Sequence, residues 1–119
     1  MESILTSIKK LLGIAEEYEH FDTDIIMHIN SVFSVLTQLG VGPENGFSIT
    51  DKDATWGDFI KDDSQLEMVK SYMYQKVKLL FDPPLSSAVI ESTNRILNEL
   101  EWRINVAAES GKKEEIQNE

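Results

Sequence analysis

The 119-residue sequence predicts a mainly α-helical protein, a small bundle of about four helices with a short β-hairpin between the second and third long helical segments. Three observations predict this. Apolar residues recur every three or four positions in four stretches, the period of one helix face. Residues 47–56 instead alternate apolar and polar around an Asp51-Lys52-Asp53 turn, the period of a strand. Finally, Phe81-Asp82-Pro83-Pro84 forces a corner between the last two helical stretches. Pro83 pushes Asp82 out of the α region, and neither proline donates a backbone hydrogen bond.

The first helix spans about residues 3–12, with Ile4/Leu5, Ile8 and Leu11/Leu12 on one face. Ser3 suits its N-cap and Gly13 its C-terminal cap. Lys9 and Lys10 fall in the last turn, where cations complement the helix dipole. An acidic link, Glu16-Glu17-Tyr18-Glu19-His20, follows. Asp22-Thr23-Asp24 then offers capping side chains and two acids for a second helix. That helix carries Ile25, Ile26, Ile29, Val32, Phe33, Leu36 and Leu39 and ends at Gly40. Its broad apolar face makes it the expected most buried helix.

Residues 41–46 form a loop by composition. The expected hairpin, Phe47-Ser48-Ile49-Thr50 and Ala54-Thr55-Trp56, is too small to stand alone and must lean on helices or on another chain. Thr55 caps a helical turn at Gly57-Asp58-Phe59-Ile60, and Asp62-Asp63-Ser64 caps the third long helix. The face of that helix is Leu66, Val69, Tyr72/Met73, Val77 and Leu80. Ser86 or Ser87 caps the last helix, whose face is Val89/Ile90, Thr93, Ile96/Leu97, Leu100, Ile104 and Ala107. The short connection favours antiparallel packing of these two helices. One domain is expected over residues 1–108. Residues 109–119 have too little apolar surface to offset ordering entropy and are expected to form a flexible charged tail.

Composition narrows the function. Eleven Lys and Arg against 21 Asp and Glu give a net charge of −10, which repels nucleic-acid phosphates and anionic lipid. No Cys is present, so disulfides, Cys-based zinc sites and thiol nucleophiles are excluded. No apolar run reaches the roughly 20 residues of a membrane span. Met1-Glu2-Ser3-Ile4 lacks the basic start of a signal peptide, and no targeting segment is expected.

Chemistry is sparse. His20, Asp24 and His28 are spaced by four, but His20 precedes the cap at Asp22, and a solvated helix face accounts for them better than a metal site. The carboxylates sit at helix starts, in the link and in turns. No Gly-x-Ser-x-Gly elbow, phosphate loop or dinucleotide fingerprint occurs. Only Arg95 and Arg103 are available for a DNA-reading helix, beside Glu91, Glu99 and Glu101. No catalytic, cofactor or metal site is expected. Exposed aromatics mark interfaces more often than catalysis. Phe47, Ile49 and Trp56 on the hairpin are one candidate interface with another chain, and Trp102 and Val106, toward the end of the last helix, are a second.

One further pattern is carried by order and spacing. Ile4 to Ile14 precedes an acidic link, and Phe21-Asp22-Thr23-Asp24-Ile25-Ile26 opens a long helix closing at Leu39-Gly40. Tyr72 to Leu80, the Phe81-Asp82-Pro83-Pro84 corner and Glu99-Leu100-Glu101-Trp102-Arg103 follow. Over about residues 3–108 this resembles the small head–tail connector proteins of tailed phages, the adaptor or head-completion family. The resemblance implies a helical subunit with a hairpin or extended loop and no enzymatic site. It implies assembly as a homo-oligomeric ring under the portal protein, joined on its tail side to a further connector or stopper protein. It places the protein in the virion, with DNA passing through without specific binding. The alternative is a small acidic helical adaptor that binds another protein through exposed aromatics.

Overall fold

Among the described residues five helices form in chain order: α1 (Ile4–Leu11), α2 (Asp22–Gln38), α3 (Trp56–Phe59), α4 (Leu66–Phe81) and α5 (Ser87–Gln117). The structure, a computed structural model, describes residues 2–61 and 64–117, with side chains described as far as 111. The centre is the packing of α2 on α4; α1 lies against both, and α5 covers α4. The two central helices share the deepest burial: Ile25, Ile29, Val32, Phe33 and Leu36 on α2 meet Leu66, Val69, Tyr72, Met73 and Val77 on α4.

Local signals set most boundaries. Ser3 accepts a bond from the Thr6 N–H at 3.2 Å and starts α1. Gly13, at φ +80°, ends it: the Gly13 N–H donates to the Lys10 carbonyl and the Ile14 N–H to the Lys9 carbonyl, a Schellman cap. Around α3, Thr55 and Asp58 make a reciprocal capping box. The α4 helix stops at Phe81 as the prolines require. Ser86 Oγ accepts from the Val89 N–H at 3.4 Å and opens α5.

Other starts differ from expectation. Phe21 is the N-cap of α2 and makes no side-chain cap bond, because Asp22 is already helical and serves another purpose. Gln65 is the N-cap of α4; the proposed caps Asp62 and Asp63 lie outside the described residues.

The expected β-hairpin does not form. Phe47–Thr50 is irregular, and the backbone of Ile49 is satisfied by a side chain instead of a strand. Asn30 Oδ1 accepts from the Ile49 N–H at 2.8 Å, and Asn30 Nδ2 donates to the Ile49 carbonyl at 2.9 Å. The other expected strand pairs with the N-terminus: the Ile4 N–H donates to the Ala54 carbonyl and the Trp56 N–H to the Glu2 carbonyl, a single antiparallel bridge between Ser3 and Thr55. The alternation is real, but helix α2 and the chain start supply the partners.

Lys9 departs most from its sequence reading. It is 1 % exposed. Its ammonium donates to the carbonyls of Glu16 (2.9 Å) and Tyr18 (2.8 Å) and lies 2.8 Å from Asp22 Oδ1. All three N–H bonds of the ammonium thus have an oxygen nearby. The acidic link is held by its backbone carbonyls, through a cation delivered from α1.

The α5 helix runs to Gln117, past residue 109. Its buried stripe is Leu97, Ile104 and Ala108. Leu80, Val89 and Ile96, assigned to core faces by spacing, are about half exposed. The seam between α4 and α5 is narrower than the apolar pattern, since α5 touches essentially one neighbour.

Replacing Lys9 with Met should cost about 3 kcal/mol in urea unfolding, because the buried Oδ1 of an Asp22 carboxylate that is 25 % exposed and two carbonyls lose their partner together. Gly13 and Gly42 offer a paired test. Both have positive φ, but a Cβ on Gly42 would lie 2.4 Å from Phe59 Cε1, whereas one on Gly13 meets nothing within 4 Å. Gly13→Ala should cost only the left-handed backbone term, about 1–2 kcal/mol. Gly42→Ala should cost about 1–3 kcal/mol more, because the Phe59 ring must shift.

Candidate assembly surface

The site question concerns surface rather than a cleft. Among the described residues, no group of three His, Asp or Glu side chains is placed to hold a metal ion. His20 is exposed with its ring 4.9 Å from Phe21, while His28 is half-buried 6.4 Å from Phe81. Among the described residues, no helix is long and apolar enough to cross a membrane.

The hairpin candidates pack inward. Trp56 is fully buried; its indole N–H donates to Ser7 Oγ at 2.9 Å, and that hydroxyl donates to the Ile4 carbonyl. Ile49 is buried too, fixed by Asn30. Phe47 is half-buried, with ring contacts to Phe33 (5.0 Å) and Phe59 (5.3 Å), and it also lines a shallow depression with Ser34, Thr37 and Asn45. Ile49 and Trp56 therefore have no surface to offer a neighbour in the folded subunit. Phe47 keeps only an edge.

Helix α5 holds the other two candidates. Its inner side is set by Leu97, Ile104 and Ala108, and by polar ties at both neighbours. Tyr72 donates its hydroxyl hydrogen to Glu101 Oε1 at 2.6 Å, and Asn105 Nδ2 donates to the Leu39 carbonyl at 3.1 Å. Trp102 is 66 % exposed and Val106 39 %. They are four residues apart, one turn, on the side facing away from Leu97 and Ile104. The Arg103–Glu99 pair (2.8 Å) beside them is well exposed and adds at most a few tenths of a kcal/mol. The tie between Tyr72 and Glu101 fixes this orientation, because it sets the rotation of α5 about its axis.

A second apolar surface was not foreseen from the sequence. At the α4–α5 corner, Leu80, Val89 and Ile96 are about half exposed and Leu85 is fully so. Beside them Tyr74, Leu79, Pro84 and Val89 line a groove of about 380 Å³, with Lys78 at its edge. The available signal was the proline corner, which ends α4 at Phe81 and sets Pro84 at the groove.

The chain is a member of the phage connector protein family, whose sequence model matches residues 4–111. That family is structural. No curated protein and no solved structure matches the chain significantly.

Burial, then the hydrogen bond to Glu101 and its negative charge, push the Tyr72 hydroxyl above the ordinary tyrosine range. The folded state therefore holds this proton more tightly than the unfolded state. The stabilisation is complete below the unfolded value, about pH 10, and is lost as pH rises through the folded one. In alkaline absorbance titration one of the three tyrosines should stay protonated above pH 10 until the protein unfolds. Tyr72→Phe should remove that signal, flatten the alkaline loss of stability and cost about 1–3 kcal/mol at neutral pH.

Proposed function

We propose that this protein is a subunit of a phage head–tail connector. It joins further copies in a ring under the portal protein, extends the DNA channel toward the tail and meets a connector or stopper protein on the tail side. The family membership supports this reading. The observation that carries it is the pair Trp102 and Val106, exposed on the side of α5 that the subunit does not use. Covering such side chains is worth on the order of 2 kcal/mol each, which favours a neighbour over water.

The net charge of −10 fits the same reading. A channel lined by such subunits repels the DNA that must slide past it, so passage is not slowed by binding. The place of action is the virion, after assembly in the host cytoplasm.

The isolated protein should sediment as a monomer at micromolar concentration and should form a ring visible by electron microscopy when mixed with its portal. Trp102→Ala should leave unfolding free energy within about 0.5 kcal/mol of the parent, since the side chain is exposed. The same substitution should abolish co-sedimentation with the portal. A large ring formed without portal, or portal binding indifferent to Trp102→Ala, would count against this function.

A further inference from the structure

The loop after α2 carries a reactive pair that the assembly reading does not use. Asn45 is followed by Gly46, the only Asn-Gly step in the chain. Pro43-Glu44-Asn45-Gly46 makes a tight turn, closed by the Gly46 N–H donating to the Pro43 carbonyl at 3.0 Å. Asn45 is exposed at its tip, and its side-chain amide makes no hydrogen bond among the described residues. Gly46 is at φ +92°, and a Cβ placed on it would meet only Thr37 Oγ1, at 3.9 Å. The turn is therefore open to water, and the nitrogen after Asn45 has no side chain to screen it.

The other asparagines among the described residues are held differently. Asn30 is in α2, with its amide bonded at both ends to the Ile49 backbone. Asn94, Asn98 and Asn105 are in α5, and Asn105 also donates to the Leu39 carbonyl. In a helix the next backbone nitrogen is tied to a carbonyl one turn back, and the fixed ψ holds it away from the side-chain amide. None of these four precedes a glycine.

We propose that Asn45 is a site of spontaneous deamidation in the folded protein. Hydroxide removes the Gly46 amide proton once the turn bond to Pro43 opens. The Gly46 nitrogen then bonds to Asn45 Cγ, the bond from Cγ to the side-chain nitrogen breaks, and ammonia leaves with a proton from water. Water opens the resulting five-membered imide. Attack at Cγ gives aspartate, and attack at the main-chain carbonyl gives isoaspartate. One water is consumed and one ammonia released, with no change of oxidation state.

The change falls on a surface and not on the core. Asn45 and Gly46 line the depression shared with Ser34, Thr37 and Phe47. Either product adds a negative charge there. Isoaspartate also inserts a methylene into the main chain two residues before Phe47, whose ring meets Phe33 and Phe59. The proposal stands apart from the connector reading and does not rest on it.

The test ages the folded, full-length protein at physiological temperature, at mildly acid and mildly alkaline pH, and follows it by ion exchange and peptide mass mapping. A more acidic species should accumulate, faster at alkaline pH, with the mass gain of an amide turned acid in the peptide that holds Asn45. That species should accept methyl groups from an isoaspartyl methyltransferase. Asn45→Gln, with unchanged circular dichroism, should not form it on the same timescale, because its longer side chain disfavours the five-membered closure. An acidic species that forms equally in Asn45→Gln, or that maps to Asn94 or Asn98, would overturn the proposal. So would conversion of Asn45 in urea but not in the folded protein, since the turn would then protect it.

Discussion

The subunit depends first on a buried cation. Lys9 leaves α1 and ends among two link carbonyls and the Asp22 carboxylate, with almost no exposure. An ammonium so placed is costly to desolvate, and it is tolerated because oxygens surround it. Its effect is geometric. The link between α1 and α2 is largely without regular structure, and Lys9 fixes the path by which it returns. That path brings α1 against α2 and α4, and α1 then supplies Ser7 to the indole of Trp56. Trp56 in turn completes an aromatic group with Phe33, Phe47 and Phe59. One charge therefore orders the half of the molecule that has little regular structure of its own.

The other half is ordered differently. The α4–α5 hairpin is a proline-enforced corner followed by a long helix with one principal neighbour. A helix of 31 residues is about 46 Å long, whereas α4 provides only about 24 Å of partner. With Tyr72 level with Glu101, the start of α4 lies near residue 107, and α5 continues past it. Such a helix has more surface than its own fold can cover. The uncovered apolar residues fall in two separate places, a recess at the corner and a projection further along. Leu97 and Ile104 hold the subunit, whereas Trp102 and Val106 stay exposed outside its core.

The acidic composition fits both halves. A net charge of −10 opposes association driven by the exposed Trp, Leu and Val side chains. The same charge makes the protein a poor ligand for DNA, as the proposed channel role requires.

By itself the sequence determined the helices, the proline corner, the glycine ends of α1 and α2 and the family. These follow from local rules: side-chain period, capping chemistry and the fixed φ of proline act over a few residues. Tertiary structure alone decided the partners. The alternation of residues 47–56 is a strand pattern, yet Asn30 and the N-terminus satisfy those backbones, because a strand period states which side chains alternate and not what faces them. Ile49 and Trp56 look the same in sequence whether they face a neighbour or a core; packing against α1 and α2 put them inside. Lys9 looks like a cation at a helix end until the link folds over it. Ile96 and Val89 belong to the apolar pattern of α5, but one adjacent helix is too narrow to cover it, so both stay about half exposed.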